Sequence, residues 1–180
     1  MPVAKVSIVG TGFIGRAWAI SFARAGHEAT LWDKEPSAPA AALTYIEGLL
    51  TDLAEHDLLN GSAPAEIRAR MRVALTLDEA LAGAEHVQEN TPEDVVMKRE
   101  IFARLDALSP PGAILASSTS AILPSKFTEE LKGRARCMVV HPINPPISSP
   151  PRKWCPRPGP IPRRSSGPRP SYAPPGMPRS

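Results

Sequence analysis

Three glycines in G-x-G-x-x-G spacing, Gly10, Gly12 and Gly15, constrain this chain more than any other feature. The patterns on either side give the spacing meaning. Before it, Val6, Ile8 and Val9 form a short apolar run rich in β-branched residues, which reads as a strand. After it, Ile14, Ala17, Trp18, Ile20, Ser21 and Phe22 recur at helical spacing until Gly26 stops the helix. A second apolar run, 29–32, ends in Asp33, 18 residues beyond Gly15. Strand, glycine turn, helix, strand and acid, in that order, form the first unit of a dinucleotide-binding fold.

Each residue type answers a physical need. Gly10 lets the chain turn sharply out of its strand. Gly12 has no β-carbon to keep a pyrophosphate from the backbone. Gly15 lets the helix pack close to the sheet. The helix start then presents free N–H groups and a positive dipole end to phosphate. A carboxylate at Asp33 can accept hydrogen bonds from both adenosine ribose hydroxyls and repels a 2′-phosphate, so NAD is expected over NADP.

The formal charge of +3 hides two different regions. Residues 147–180 hold seven Lys/Arg and no Asp/Glu, leaving 14 basic and 18 acidic side chains for residues 1–146. The body is mildly acidic, so no nucleic-acid partner is expected for it. Cys137 and Cys155 show no metal-ligand spacing. Cys137 opens an apolar strand and reads as a buried thiol. There is no secretory pattern and no run of the ~20 apolar residues that a membrane span needs. A cytoplasmic protein without membrane contact is expected.

The rest of the body alternates helix and strand. A turn at 34–39 precedes a long helix at 40–59, and a short helix capped by Ser62 runs to Met71. Strands are expected at 73–77, 86–89, 113–116 and 136–140. Helices are expected at 77–81, with Asp78 as cap, at 94–108 and at 123–131. Val95, Ile101, Phe102, Leu105 and Leu108 are the expected buried set of the helix at 94–108. This is an α/β class: a Rossmann-type doubly wound, mostly parallel sheet with a helical insertion. Ligands in such sheets sit outside the carboxyl ends of the strands. Gly10 to Gly15, Asp33, Glu93, the hydroxyl run Ser117 to Ser120, and His141 to Asn144 all follow expected strands and so share that edge.

His141 is the candidate for acid–base work. Imidazole titrates near neutrality and can take a proton from an alcohol as hydride leaves the carbon. By residue type alone, a strand-end histidine bonded to nearby backbone is the commoner arrangement. The adjacent hydroxyls and the glycine loop favour the catalytic one.

Four stretches, IVGTGFIGRAWAISFARAGHEATLWD, HVQENTPEDVVMKREIFARLD, ILASSTSAILPSK and VVHPINPP, together resemble the 3-hydroxyacyl-CoA dehydrogenase family, most closely its lambda-crystallin (L-gulonate 3-dehydrogenase) branch. They run in family order over residues 4–146. The resemblance implies that Phe13 and Ile14 in the glycine loop, Asp33, Glu93, Lys98 and Asn144 contact NAD. It implies that Ser120 bonds the substrate oxygen and that His141 is the general base. The implied reaction is hydride transfer between a secondary 3-hydroxyl and NAD. The implied substrate is a 3-hydroxyacyl-CoA or a 3-hydroxy acid, and the full-length family is homodimeric. Without the resemblance, Glu93 and Lys98 would read as a solvated pair at a helix start.

The likeness stops at Pro146. The family continues into a strand with a glutamate that orients the histidine, then into a helical second domain. Around the position of that glutamate this chain has Lys153, and the helical domain is not matched. Residues 147–180 hold eleven of the 22 prolines. Such a run has little to bury and is expected to be a disordered Pro/Arg-rich tail. An acid-free Pro/Arg run is also what a G+C-rich gene gives out of frame. The tail is therefore read as a frameshifted translation, which the coding DNA would reveal. With the histidine's partner and the substrate domain missing, the alternative to an active dehydrogenase is an inactive remnant that only binds NAD.

Overall fold

The apolar run before the glycines becomes the central strand of a six-stranded parallel sheet. The computed structural model describes residues 2–142. In chain order the elements are β1 (Lys5–Val9), α1 (Phe13–Arg24), β2 (Glu28–Trp32), α2 (Ala38–Glu55), α3 (Pro64–Ala69), β3 (Met71–Val73), α4 (Leu77–Leu81), β4 (His86–Glu89), α5 (Val95–Leu108), β5 (Ile114–Ser117), α6 (Ser125–Thr128) and β6 (Cys137–Val139). The strand order is β3-β2-β1-β4-β5-β6. The order reverses between β1 and β4, and a crevice opens there at the carboxyl edge. Asn144, Cys155 and the expected tail lie outside the described residues.

Side chains alternate across β1, so the sheet has two cores. Val6 and Ile8 join Ile20 of α1, Ile46 and Leu50 of α2 and Ile67 of α3 on one face. Val9 joins Leu81 of α4, Phe102 and Leu105 of α5, Leu115 and Phe127 on the other. The doubly wound architecture expected from the sequence is the one observed. Among the described residues, no helix is long and apolar enough to cross a membrane.

Several local expectations are corrected. The third strand lies at Met71–Val73, not at 73–77, because Ala29, Thr30 and Leu31 of β2 pair with those three residues. The helix expected at 123–131 shrinks to Ser125–Thr128. Leu108, the last residue of α5, is 40 % exposed although its spacing from Ile101 and Leu105 follows the inward stripe. Thr76, not Asp78, caps α4 by accepting from Glu79 N–H at 3.2 Å. The residue before α3 is Ala63 rather than Ser62, and its amide donates to the Glu66 carboxylate at 3.3 Å. Cys137 is half-buried rather than buried. Burial, with the Asp106 charge adding to it and Arg136 opposing it, pushes its thiol up to about 11, so it stays protonated.

His86 gives the domain an acid-sensitive core. It is 5 % exposed, and its ring lies 5.3 Å from that of Phe22. Burial pushes its pKa from 6.5 down to about 4, against a hydrogen bond with Gln88 that raises it and alongside a His27 charge that lowers it. The unfolded chain therefore takes up this proton at higher pH than the folded one. The stabilisation is complete above pH 6.5 and is lost progressively as pH falls toward 4. The shift corresponds to about 3 kcal/mol. Urea midpoints measured across that window should fall, and His86→Gln should flatten the slope. An unchanged slope in the variant would assign the acid sensitivity elsewhere.

Candidate functional site

The glycine loop is built by close backbone approach. Gly10 has φ +89°, and a β-carbon there would stand 2.9 Å from the Asn90 carbonyl carbon. A β-carbon on Gly15 would stand 1.9 Å from the Gly10 oxygen. Protein packing thus explains both residues. Gly12 is different: apart from its own chain neighbours, no protein atom lies within 4 Å of where its β-carbon would be. Nothing in the fold requires glycine there, whereas a phosphate approaching the start of α1 does. Gly12 also precedes the helix without a side-chain cap, leaving the first turn open to an anion. Phe13 is 62 % exposed on that turn, and Ile14 beside it is half-buried.

Asp33 stands at the end of β2 and faces the loop. Its Oδ2 accepts from Thr11 N–H at 2.6 Å and from Thr11 Oγ1 at 3.0 Å. Its Oδ1 accepts from Glu35 N–H at 3.2 Å. A carboxylate offers about four acceptor positions, so capacity remains for ribose hydroxyls. Asp33, Thr11, Gly12, Arg16 and the first turn of α2 line an open cleft of about 290 Å³. The Arg16 guanidinium lies over the Tyr45 ring at 4.4 Å and closes one side of it.

Beneath the loop after β4 lies a buried ion pair. Lys98 Nζ donates to both Glu89 oxygens, at 2.9 and 3.0 Å, and to the Thr91 carbonyl at 3.3 Å. The side chains of Lys98 and Glu89 are 1 % and 0 % exposed. Glu89 also accepts from Thr91 N–H at 2.6 Å, from the Thr91 hydroxyl and from Ser117 Oγ at 2.5 Å. The Lys98 ammonium faces Glu89, enclosed beneath the loop. Its position carried a legible signal, since Lys98, Ile101, Phe102 and Leu105 form one inward helical stripe.

Glu93 reaches across to the turn after β5. It accepts from the Thr119 hydroxyl, from Ser120 N–H at 3.2 Å and from Ala121 N–H at 3.0 Å. Desolvation opposes its ionisation, but the bonds from Thr119 and Ala121, the Lys98 charge and the Ile122 amide together hold its pKa below the ordinary 4.5. Glu93 thereby fixes Ser120, whose side chain stays exposed. His141 follows β6, also exposed, and its Nδ1 lies 3.1 Å from the Ser118 carbonyl.

Asp33 and His141 end strands four places apart in the sheet. At ~4.8 Å a strand that is roughly 19 Å, room for an extended dinucleotide with a small substrate beyond it. The structure gathers the glycine loop, Asp33, Glu93, Ser120 and His141 on one edge. Thr11, Glu89 and Ser118 were not singled out individually in the sequence, because their roles depend on which strands pair.

The profile of the 3-hydroxyacyl-CoA dehydrogenase NAD-binding domain matches residues 5–150. Lambda-crystallin of Oryctolagus cuniculus is 40 % identical over 146 residues, which cover 81 % of this chain and 46 % of that protein. L-carnitine dehydrogenase of Streptomyces griseus is 38 % identical over 148 residues, 82 % of this chain and 43 % of that one. The crystal structure of 3-hydroxybutyryl-CoA dehydrogenase from Escherichia coli superposes with a TM-score of 0.74 at 28 % identity, covering 81 % of this chain and 30 % of that one. The chain thus spans less than half the length of these relatives. The glycine loop left open at Gly12, the acid ending β2 and the matched sequence agree: the chain belongs to the 3-hydroxyacyl-CoA dehydrogenase family, and its described body is that family's domain for NAD.

Proposed function

We propose that the chain is the NAD-binding part of a dehydrogenase that oxidises a secondary 3-hydroxyl, with His141 as the general base. The observation that carries this is the placement of Asp33, the glycine loop and His141 on one carboxyl edge of a parallel sheet. Bound NAD supplies the hydride acceptor. Asp33 seats the adenosine ribose and Gly12 the adjoining pyrophosphate, and Asn144 completes the set beyond the described residues. Ser120 donates to the substrate oxygen, and His141 takes the hydroxyl proton. Exposed Phe13 and Leu123, 62 % and 65 %, offer apolar surface beside the site.

The broad substrate class is a 3-hydroxyacyl-CoA. A second reading, a free 3-hydroxy acid such as L-carnitine or L-gulonate, is supported by the higher identity to lambda-crystallin and L-carnitine dehydrogenase, 40 % and 38 %, than to the acyl-CoA enzyme at 28 %.

The test is calorimetric titration of the full chain with NAD and NADP, followed by NAD reduction with 3-hydroxybutyryl-CoA, L-carnitine and L-gulonate. NAD should bind more tightly than NADP. Asp33→Ala should weaken NAD roughly 10- to 100-fold, the value of a hydrogen bond to a charged group. NADP should weaken less, because relief of the repulsion on its 2′-phosphate offsets the lost Thr11 brace. Equal weakening of both would remove Asp33 from the ribose. NAD binding without reduction of any substrate would favour a chain that only binds the cofactor.

A further inference from the structure

We infer that Ser118 is the positioning residue for His141, fixing the imidazole as its Nδ1–H tautomer and leaving Nε2 as the proton acceptor. The inference rests on the dehydrogenase reading for its purpose, but its geometry stands independently.

A carbonyl oxygen only accepts hydrogen bonds, so the 3.1 Å contact between His141 Nδ1 and Ser118 O requires Nδ1 to donate. In the neutral ring Nε2 then carries the lone pair. Among the described residues, no carboxylate is hydrogen-bonded to this ring. Among those residues the carbonyl is the group that sets its tautomer and direction.

The Ser118 carbonyl is held in place through its own side chain and amide. The Ser118 hydroxyl has one proton to give and two lone pairs, and all three are used. It donates to Asn90 Oδ1 at 2.7 Å and accepts from Gln88 Nε2 at 2.8 Å and Trp18 Nε1 at 3.0 Å. Those partners come from α1, β4 and the turn after β4. The Ser118 amide donates to the Glu89 carbonyl at 2.9 Å. Gln88 cannot turn over, because its Nε2 also faces the Val140 carbonyl at 3.4 Å while its Oε1 faces His86 Nε2 at 3.0 Å. One serine thus ties the cofactor-side helix to the catalytic strand end. Its main-chain oxygen is the group that meets the base.

The chain contains four histidines, and the other three serve as internal references. His27 Nδ1 accepts from Ala4 N–H at 3.1 Å, and His86 Nε2 donates to Gln88, so both should be Nε2–H when neutral. His56 Nδ1 faces the Asp52 carbonyl at 2.8 Å from an exposed helix end.

The experiment is ¹⁵N NMR of imidazole nitrogens in the full histidine-labelled chain, at alkaline pH where the rings are neutral. The expected spectrum shows His141 with a pyrrole-like Nδ1 and a pyridine-like Nε2, opposite to His27 and His86. Ser118→Ala should move His141 toward averaged nitrogen shifts, with Ser118→Thr restoring the wild-type pattern. Trp18→Phe removes one bond to the hydroxyl, keeps an aromatic ring near Phe22 and should give a smaller shift in the same direction, which keeps the test open if Ser118→Ala fails to fold. A wild-type His141 in the Nε2–H form, or variants with an unmoved tautomer, would overturn the inference whatever the turnover. A locked Nδ1–H ring that Ser118→Ala releases supports it. That result in a chain reducing no NAD would remove the dehydrogenase reading alone.

Discussion

Replacing Lys98 by methionine should cost the domain about 3–5 kcal/mol, the usual penalty for stranding one member of a buried ion pair. The variant leaves Glu89 wholly enclosed with its charge uncompensated, although Thr91 and Ser117 still donate to it. At this chain length, such a loss lowers the melting temperature by roughly 10 °C or more. The double variant Glu89→Gln with Lys98→Met should recover part of it, because the glutamine carbonyl still accepts from Thr91 without a charge to bury. Urea unfolding of the single and double variants checks this. If the single variant lost less than ~1 kcal/mol, the pair would not be the support of the loop that the geometry makes it. NAD affinity should fall alongside stability, since Thr91 and Glu93 belong to the loop above the pair.

Alanine at Gly15 should be the most damaging change in the glycine loop, and alanine at Gly12 the most selective. At Gly15 the new methyl group meets the Gly10 oxygen at 1.9 Å and the Gly10 carbonyl carbon at 3.0 Å. Both are backbone atoms, so no side-chain rotation relieves the clash. Helix α1 must move off the loop, at a cost of about 1–3 kcal/mol or more, and NAD binding should fall at least ~10-fold with it. At Gly12 the methyl group meets no protein atom within 4 Å beyond its own chain neighbours. Stability there should change by no more than about 1 kcal/mol, the range of N-cap preferences. Binding should fall because the methyl occupies the approach to the loop. Thermal unfolding and NAD calorimetry on both variants separate the two effects. Gly12→Ala binding NAD as tightly as the parent would show that the pyrophosphate does not approach at Gly12.

The elements easiest to read from sequence were those whose signals are local. The glycine turn at 10–15, the strand at His86–Glu89 and the amphipathic stripe of α5 are spelled within a few neighbours. Strand β3 is displaced and α6 is shorter than its local pattern suggests because their bounds depend on partners. The residues at 74–77 carry strand-like character, but β2 pairs with residues 71–73. By residue type alone Lys98 reads as a solvated helix-start charge, and only the packed structure shows the carboxylate that meets it 9 residues earlier. His141 shows the commoner arrangement of a strand-end histidine, its ring bonded to nearby backbone at the Ser118 carbonyl.

The sequence alone determined the alternation of strands and helices, the need for glycine at Gly10, and which polar residues follow strands. Local backbone freedom and side-chain periodicity decide these, and both are written within a turn or two of chain. Tertiary structure alone decided which of those polar residues meet. Thr11 to Asp33 spans 22 residues, Glu93 to Thr119 spans 26, and Trp18 to Ser118 spans 100. Such bonds exist only once parallel pairing fixes the strand order and register, because a slip of one residue turns every side chain to the opposite face.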